Sequence, residues 1–184
     1  MLYIGFDQKI FNKEQRTYYS KRLAYYLRHS GQPDENGWVR LESAISFCGV
    51  SVDCIIEIVQ MDDKNRFEIS NGLIRARNGH SGKIEINPGL VKTIPPETLY
   101  HCTTEAALEQ IKTTGLIPMS RQYVQLSESQ DVAYKAASRH KKYGPVLLKI
   151  KAKQAAEQGY QFFVTTNGVW QTKHISPEFI EISD

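Results

Sequence analysis

The chain reads R-F-E-I-S-N-G-L-I-R-A-R-N-G-H-S from Arg66 to Ser81. Two runs that alternate apolar and polar residues flank the pair Asn71-Gly72. Asn-Gly between alternating runs is the strongest short signal of a β-hairpin. On the second run Arg75 and Arg77 share one face, and the two apolar residues that alternate with them share the other. The sequence therefore predicts a hairpin with one face toward a core and two guanidiniums on the opposite face.

A second turn is expected directly after this hairpin. Asn78-Gly79 is a turn signal, and a turn there would present main-chain N–H groups, His80 and Ser81 beside the two arginines. Such a cluster suits a phosphate, because a guanidinium offers a planar fork of donors and does not lose its charge. On this stretch alone, a solvated strand followed by a turn stays open as the plainer alternative.

The bulk composition is typical of a soluble globular protein. The 184 residues, 41% hydrophobic and 23% charged, suffice for one large domain or two small lobes that share a cleft. The net charge of +3 does not by itself indicate a polyanionic partner. The three cysteines form no C-x-x-C pair, so we expect no disulfide framework, no zinc site and a cytoplasmic location. No apolar run approaches membrane-spanning length, and no membrane partner is expected.

The N-terminal part reads as three helices followed by the hairpin. After an uninformative extension at residues 1–14, an apolar stripe predicts a helix over about Arg16–His29. A short helix is expected over about Glu42–Phe47, and a serine can cap a third helix over about Ser51–Met61. This order is typical of a winged-helix-like lobe, which we place at residues 15–92; the association with nucleic acid belongs to the fold and not to a site.

Residues 93–184 form the second predicted lobe. Many short strands and few helices favour an α+β fold over a doubly wound sheet. Neither G-x-G-x-x-G nor G-x-x-x-x-G-K-[ST] occurs, which disfavours a Rossmann site and a P-loop. Strands are expected near Leu99–Thr103, Val124–Leu126, Pro145–Ile150, Gln161–Val164, Val169–Thr172 and Phe179–Ile182. Helices are expected near Glu105–Thr113, from a cap at Ser127 or Ser129 to about His140, and near Ala152–Gln158.

Six short motifs stand in order between Ser20 and Ile182. They are Leu27-Arg28-His29-Ser30, Asn36-Gly37-Trp38-Val39, Arg66-Phe67 with Ile74 to Ser81, Leu99-Tyr100-His101-Cys102-Thr103, Gly115-Leu116 with Arg121, and Asn167-Gly168-Val169-Trp170. In this order they resemble the motifs of the RNA 2′-phosphotransferase family, the NAD-dependent enzymes that remove a splice-junction 2′-phosphate from RNA.

The resemblance implies an ADP-ribosyltransferase-like split β-sheet in the second lobe, and NAD as the co-substrate. An RNA 2′-phosphate would attack the NAD ribose carbon that carries nicotinamide, and nicotinamide would leave. The 2″-hydroxyl of the attached ADP-ribose would then attack phosphorus and the RNA 2′-oxygen would leave, giving 2′-hydroxyl RNA and ADP-ribose 1″,2″-cyclic phosphate. Fixed cations suit both steps by positioning and charge stabilisation, so no metal is expected. The catalytic residues implied are Arg28, His29, Arg75 and Arg121.

The resemblance also implies binding residues and partners. Contacts to NAD are expected from His101, Thr103, Gln125, Ser127, Val169 and Trp170. Contacts to RNA or its phosphate are expected from Arg77, Asn78, His80 and Ser81. The partners would be RNA that carries a 2′-phosphate and NAD, bound by a monomer. His29 is a candidate donor for the departing RNA oxygen, because its ordinary pKa lies near neutrality.

Three positions depart from the family's pattern, and other functions stay open. Asn78 stands where the family usually has Gln, Cys102 where it has Gly, and Gln125 where a histidine is expected. Gln can still donate and accept hydrogen bonds. One alternative is an ADP-ribosyltransferase that modifies a nucleic-acid phosphate or a protein. Another is a non-catalytic RNA-binding winged-helix protein.

Several of these residues also have simple structural explanations. Arg28 and His29 fall in the last turn of the first helix, where cations interact favourably with the helix dipole. His101 can be a structural strand histidine, and Val169-Trp170 can belong to a core. The basic run Arg139–Lys142 is either a solvated helix end or a contact to RNA phosphates.

Overall fold

The computed structural model describes residues 10–81, 85–137 and 144–183, and its helices and strands make an α+β protein, as predicted. The described residues form two compact units, the first within Met1–His80 and Ile86–Pro88 and the second within Ser81–Glu85 and Gly89–Asp184. The basic run Arg139–Lys142 and residues 1–9 of the predicted extension lie outside the described residues. None of the described helices is long and apolar enough to cross a bilayer.

The first unit packs three helices against a small sheet. Its elements are α1 (Lys13–Tyr25), a π-helical turn (Tyr26–Ser30), β1 (Val39–Arg40), α2 (Leu41–Cys48), α3 (Val52–Gln60), β2 (Phe67–Ser70) and β3 (Leu73–Ala76). The strands pair antiparallel in the order β1-β3-β2. Its core is filled by apolar side chains from the helices and the hairpin, among them Leu23, Leu27, Ala44, Ile55, Ile58, Phe67 and Ile74.

The predicted hairpin is confirmed in position and register. Strands β2 and β3 pair antiparallel, with Glu68 opposite Arg75. Asn71 and Gly72 both have positive φ, at 47° and 73°, which is the backbone that a two-residue hairpin turn requires. Ile74 is fully buried in the core, so the arginine that follows it faces the other side of the sheet.

The first helix is confirmed, but its end differs from the prediction. It begins at Lys13, where the Asn12 side chain accepts the Gln15 N–H and completes a capping box. The α-helix stops at Tyr25, and the next five residues form a π-helical turn. The Gly31 N–H donates to the Tyr26 carbonyl at 2.7 Å and closes that turn. The apolar periodicity carries no signal for this wider hydrogen-bond pattern, since the stripe it predicts is the same.

The second unit contains two antiparallel sheets, ordered β10-β7-β5 and β4-β8-β9-β6. The strands are β4 (Val91–Lys92), β5 (Leu99–Thr104), β6 (Val124–Leu126), β7 (Pro145–Ile150), β8 (Phe162–Val164), β9 (Trp170–Thr172) and β10 (Ile180–Ile182). The helices are α4 (Leu108–Thr114), α5 (Gln130–Ala136) and α6 (Ala152–Glu157). Every strand pair is antiparallel, and the six predicted strands are confirmed.

The helix α4 begins differently from the prediction, and the glycine at its end has a structural explanation. The helix expected from Glu105 begins as a 3-10 turn and becomes α-helical at Leu108. It ends at Thr114 with Gly115 as its C-cap residue, and the backbone explains why a glycine stands there. Gly115 has a φ of 75°, and a Cβ at that position would lie 2.0 Å from the Ile175 carbonyl oxygen. A side chain would therefore break the bridge that pairs Leu116 with Ile175.

Candidate functional site

In the first unit, the predicted arginine pair is held by a carboxylate that the sequence analysis did not single out. The Glu68 Oε2 atom lies 2.9 Å from both Nε and Nη2 of Arg75 and 3.2 Å from Nη1 of Arg77. The register explains this contact, because Glu68 is the cross-strand partner of Arg75. Because the Asn71-Gly72 turn sets that register, the pairing of Glu68 with Arg75 could have been predicted from the sequence.

Arg75 is held on its other side by the loop that precedes β1. Its Cζ lies 4.3 Å from the centroid of the Trp38 ring, and its Nη1 donates to the Asn36 carbonyl at 3.2 Å. The Asp34 carboxylate accepts the N–H groups of Asn36 and Trp38, at 2.9 and 2.8 Å, and shapes this loop. Three of the five guanidinium N–H groups are thus engaged, and one on each terminal nitrogen remains to bind a ligand.

The π-helical turn directs its two basic residues differently. Arg28 is half-buried, and its Nη2 donates to the Asn78 side-chain oxygen at 3.3 Å. This bond ties the first helix to the turn after β3, so the structure brings together two of the predicted residues. His29 is exposed, and its ring lies 5.7 Å from the ring of Tyr25.

His80 is buried beside these cations. It is 5% exposed, and within the described part of the chain its Nε2 atom has no hydrogen-bond partner. Burial lowers its pKa from the ordinary 6.5 to about 4, and the charges of Arg28, His29 and Arg75 act in the same direction. His80 is therefore a neutral imidazole at physiological pH.

Gly37 gives His80 the room that it occupies. Its φ is 84°, and a Cβ there would lie 3.2 Å from the His80 Nε2 and 3.1 Å from the Ile86 Cγ2. Both the backbone conformation and the close approach favour glycine at this position.

In the second unit, Gln125 connects two of the predicted residues. Its side-chain oxygen accepts from Arg121 Nη1 at 2.5 Å, and its main-chain carbonyl lies 2.9 Å from His101 Nδ1. A carbonyl oxygen can only accept, so Nδ1 carries the proton and Nε2 is an acceptor. Burial lowers the pKa of His101, the nearby Arg121 charge lowers it further, and the bond to Gln125 opposes them.

The remaining predicted residues of this unit are arranged less closely. Ser127 exchanges main-chain hydrogen bonds with Tyr100, at 2.8 and 2.9 Å. Ser81, predicted beside the arginine pair, belongs to this unit, where its main chain forms a bridge with Arg121. Across the described residues, the hydroxyls of Thr103 and Ser127 make no hydrogen bond to the cluster around Gln125.

Trp170 and its neighbours combine a core position with polar contacts. Trp170 is buried in the core of the second unit, and its Nε1 donates to the Glu128 carboxylate at 2.7 Å. Val169 is held through its main chain by Thr165, whose Oγ1 accepts the Val169 N–H at 3.0 Å. Gln171, which the sequence analysis did not identify, is buried on β9 opposite Gln125.

The described residues contain no group of three or more His, Cys, Asp or Glu side chains that could hold a metal ion. The predicted site residues do include four arginines that hydrogen bonds or ion pairs hold in place, namely Arg28, Arg75, Arg77 and Arg121. Such fixed guanidiniums can bind the oxygens of a phosphate and stabilise negative charge that develops there.

Comparison with known proteins gives a consistent result. Residues 14–174 match the family model described as RNA 2′-phosphotransferase, Tpt1 / KptA family. A protein of Pectobacterium atrosepticum is 38% identical over 181 residues, 91% of this chain and 98% of the relative. One of Bacillus thuringiensis subsp. konkukian is 36% identical over 91% of this chain and 95% of its own length. One of Hahella chejuensis is 35% identical over 97% of both. Each is named a probable RNA 2′-phosphotransferase.

Proposed function

The chain belongs to the RNA 2′-phosphotransferase family, and on that premise we propose that it transfers an internal 2′-phosphate of RNA to NAD. The products are 2′-hydroxyl RNA, ADP-ribose 1″,2″-cyclic phosphate and nicotinamide. The observation that carries this proposal is the cation cluster of the first unit. Arg75 is fixed on three sides while two of its N–H groups remain to bind phosphate, and Arg28 is tied to the adjacent turn.

The first unit binds the RNA phosphate in this proposal. Arg75 and Arg28 donate to its oxygens, and because both side chains are already held, little conformational entropy is lost when the phosphate binds. Arg77 and Asn78 support them from the same turn. His29 is exposed, and we assign it the protonation of the departing RNA 2′-oxygen, a role that histidine side chains commonly take. His80 stays neutral and adds no charge to the cluster.

We assign NAD to the second unit. When bound, NAD supplies the ribose carbon that accepts the phosphate and the nicotinamide that leaves. The residues present fit such a ligand, because the neutral His101 offers Nε2 as an acceptor for a ribose hydroxyl. Thr103 and Ser127 offer hydroxyls, and Gln125 offers its amide N–H groups.

Three further residues of the second unit have roles in the proposal. Arg121, held by Gln125, supplies the charge for phosphoryl oxygens. Val169 contributes to the wall for nicotinamide, and Trp170 supports that wall from the core. Positive charge comes from arginines, so the proposed reaction uses no metal.

The finer architecture and setting are also part of the proposal. Three helices and a three-stranded sheet, in which β1 follows α1 and the β2–β3 hairpin follows α3, support a winged-helix-like first unit. Two antiparallel sheets, with His101 on β5, support an ADP-ribosyltransferase-like second unit. The cysteines are free thiols, which favours a reducing, cytoplasmic setting. All of the proposed residues come from one chain, so a monomer suffices.

One assay tests the reaction. An oligoribonucleotide with one internal 2′-phosphate is incubated with NAD, and the same oligonucleotide with a 2′-hydroxyl serves as the control. We expect 2′-hydroxyl RNA, cyclic phosphate and free nicotinamide in equal amounts from the first, and neither cyclic phosphate nor free nicotinamide from the second. RNA that accumulates in an ADP-ribosylated form would instead support an ADP-ribosyltransferase. If no nicotinamide is released, the proposal is wrong.

A pair of variants tests the assigned charge. Arg121→Ala removes the guanidinium that Gln125 holds, and we expect turnover to fall to near background while the protein stays folded. Lys112→Ala removes an exposed cation that pairs with Glu109, and we expect normal turnover. Equal turnover in the two variants would remove Arg121 from the reaction.

A further inference from the structure

The exposed side of α1 carries a line of rings and cations that leads to His29, and the proposed reaction uses only that last residue of the line. Tyr18, Arg22, Tyr25 and His29 are all exposed, and their spacing places them on one face of the helix. Tyr18 is 58% and Tyr25 56% exposed, which is unusual for such large side chains when they serve only packing. The line ends at His29, to which we assign the protonation of the departing RNA 2′-oxygen.

The central part of this line is held in place by ring contacts. The ring of Tyr25 lies 5.7 Å from that of His29 and 6.5 Å from that of Phe47, with an angle of 24° to the latter. Arg22 lies over Phe47 at 4.8 Å and donates twice to its carbonyl oxygen, at 3.1 and 2.8 Å. A planar group that binds Tyr25 would therefore meet a surface that is already ordered.

The charge of this segment favours an anionic partner. No Asp or Glu occurs from Gln15 to Pro33, whereas Arg16, Lys21, Arg22 and Arg28 do. Arg16 is paired with Glu57. Lys21 and Arg22 are exposed on the helix, where they can neutralise phosphates.

We propose that Tyr25 is a stacking platform for an unpaired nucleobase of the RNA, next to the nucleotide whose departing 2′-oxygen His29 protonates. Arg22 and Lys21 contact the phosphodiester backbone on the same side. This inference rests on the proposed function. Aromatic side chains hold unstacked bases in single-stranded RNA with little regard to sequence, and neighbouring cations follow the backbone.

The composition of the line favours RNA over a protein partner. A helix face that binds another protein helix presents aliphatic anchors at this spacing. Here the exposed positions alternate between tyrosine rings and cations and contain no Leu, Ile, Val or Met among Tyr18, Arg22, Tyr25 and His29. Rings with adjacent positive charge match the π-face and the phosphate of a nucleotide.

The test uses the fluorescent base 2-aminopurine beside the 2′-phosphorylated nucleotide of a single-stranded RNA. Stacking on a ring quenches it, so we expect the wild-type protein to lower its fluorescence. Tyr25→Leu should abolish that change and weaken RNA binding about 5- to 150-fold, the range for loss of one base–ring stack. Tyr25→Phe should keep both, because the ring remains. Tyr134→Leu removes an exposed tyrosine of the second unit and should behave as wild type.

Steady-state kinetics give a second readout. We expect Tyr25→Leu to raise the KM for RNA and leave the KM for NAD unchanged. A shorter RNA without the adjacent nucleotide should show no difference between Tyr25→Leu and wild type. Circular dichroism and thermal melting of both Tyr25 variants check that the helix is intact.

The outcomes separate the two proposals. Unchanged quenching in Tyr25→Leu, or an equal loss in Tyr134→Leu, would overturn the stacking platform even if the enzyme is active. If the wild-type protein releases no nicotinamide, the proposed function fails, and the fluorescence experiment still decides whether Tyr25 binds a base.

Discussion

The change Glu68→Gln tests whether the arginine pair acts by charge or by position. Glu68 is the carboxylate that Arg75 and Arg77 share, with N–O distances of 2.9 and 3.2 Å. The variant keeps the size of the side chain and one acceptor oxygen but removes the negative charge. It therefore makes the cluster more positive while it loosens the two guanidiniums.

The magnitudes decide which effect dominates. Hydrogen bonds between charged groups contribute about 1.5–3 kcal/mol when desolvated. The Glu68 side chain is 27% exposed, so we place its total contribution at about 1–2 kcal/mol. For a chain of this length that lowers the Tm by about 2–8 °C. A displacement of about 1 Å in a positioned group can cost about 100-fold in rate. We expect kcat to fall about 10- to 100-fold, whereas the KM for RNA stays equal or decreases because the net charge rises.

The control is Glu181→Gln, which makes the same chemical change in the second unit. Glu181 also bridges two cations, Lys149 at 3.6 Å and Lys151 at 2.8 Å, and neither has a proposed role. Both variants are measured with 2′-phosphorylated RNA under saturating NAD, with a thermal melt for each. A Glu68→Gln enzyme with wild-type kcat would refute the positioning argument, and so would a similar loss of kcat in Glu181→Gln.

Three further changes probe other contacts. Gln125→Leu removes the acceptor that Arg121 uses, and we expect kcat to fall about 10-fold. Gln125→Glu keeps an acceptor and should retain most of the wild-type kcat. Equal kcat values in the two variants would contradict a positioning role for Gln125. The pKa of His80 is about 4 in the folded protein, against an ordinary value of 6.5, so unfolding takes up a proton between these two pH values. The free energy of unfolding should therefore decrease by about 3 kcal/mol as the pH falls from 6.5 toward 4. Urea titrations should show a smaller decrease in His80→Gln, and the same pH profile in both proteins would argue against the buried neutral ring. Gly37→Ala should destabilise more than Gly49→Ala, because both glycines have positive φ but only the second Cβ would enter open space; equal denaturation midpoints would contradict the close contact.

Local signals account for the parts of the fold that the sequence predicted well. Asn71-Gly72 determines its hairpin through two positive φ angles in adjacent residues, and no distant contact is needed. The position of the turn also makes the contact of Glu68 predictable, because counting outward from Asn71-Gly72 pairs Glu68 with Arg75. The short strand β4 (Val91–Lys92) was not predicted, because two residues carry no alternation.

Burial depends on the whole fold and was less predictable. His80 stands in a Gly-His-Ser run that reads as an exposed turn, yet it is buried against Gly37, far away in the sequence. Gln171 stands between Trp170 and Thr172, and its polar side chain gives no sign of burial, but it lies in a central strand of its sheet. Its burial follows from the strand order, which the sequence pattern does not contain.

The π-helical turn connects the fold of the first unit with its proposed chemistry. Such turns are rare, occur mostly as single turns within α-helices, and are frequently found at functional sites. Here the turn comprises Tyr26–Ser30, so it contains both Arg28 and His29. In it one basic side chain reaches inward to Asn78, and its neighbour stays exposed against Tyr25. In the proposed function, this divergence lets Arg28 bind the phosphate while His29 donates a proton to the departing oxygen. The proposed chemistry thus depends on two side chains that one short turn holds in different surroundings.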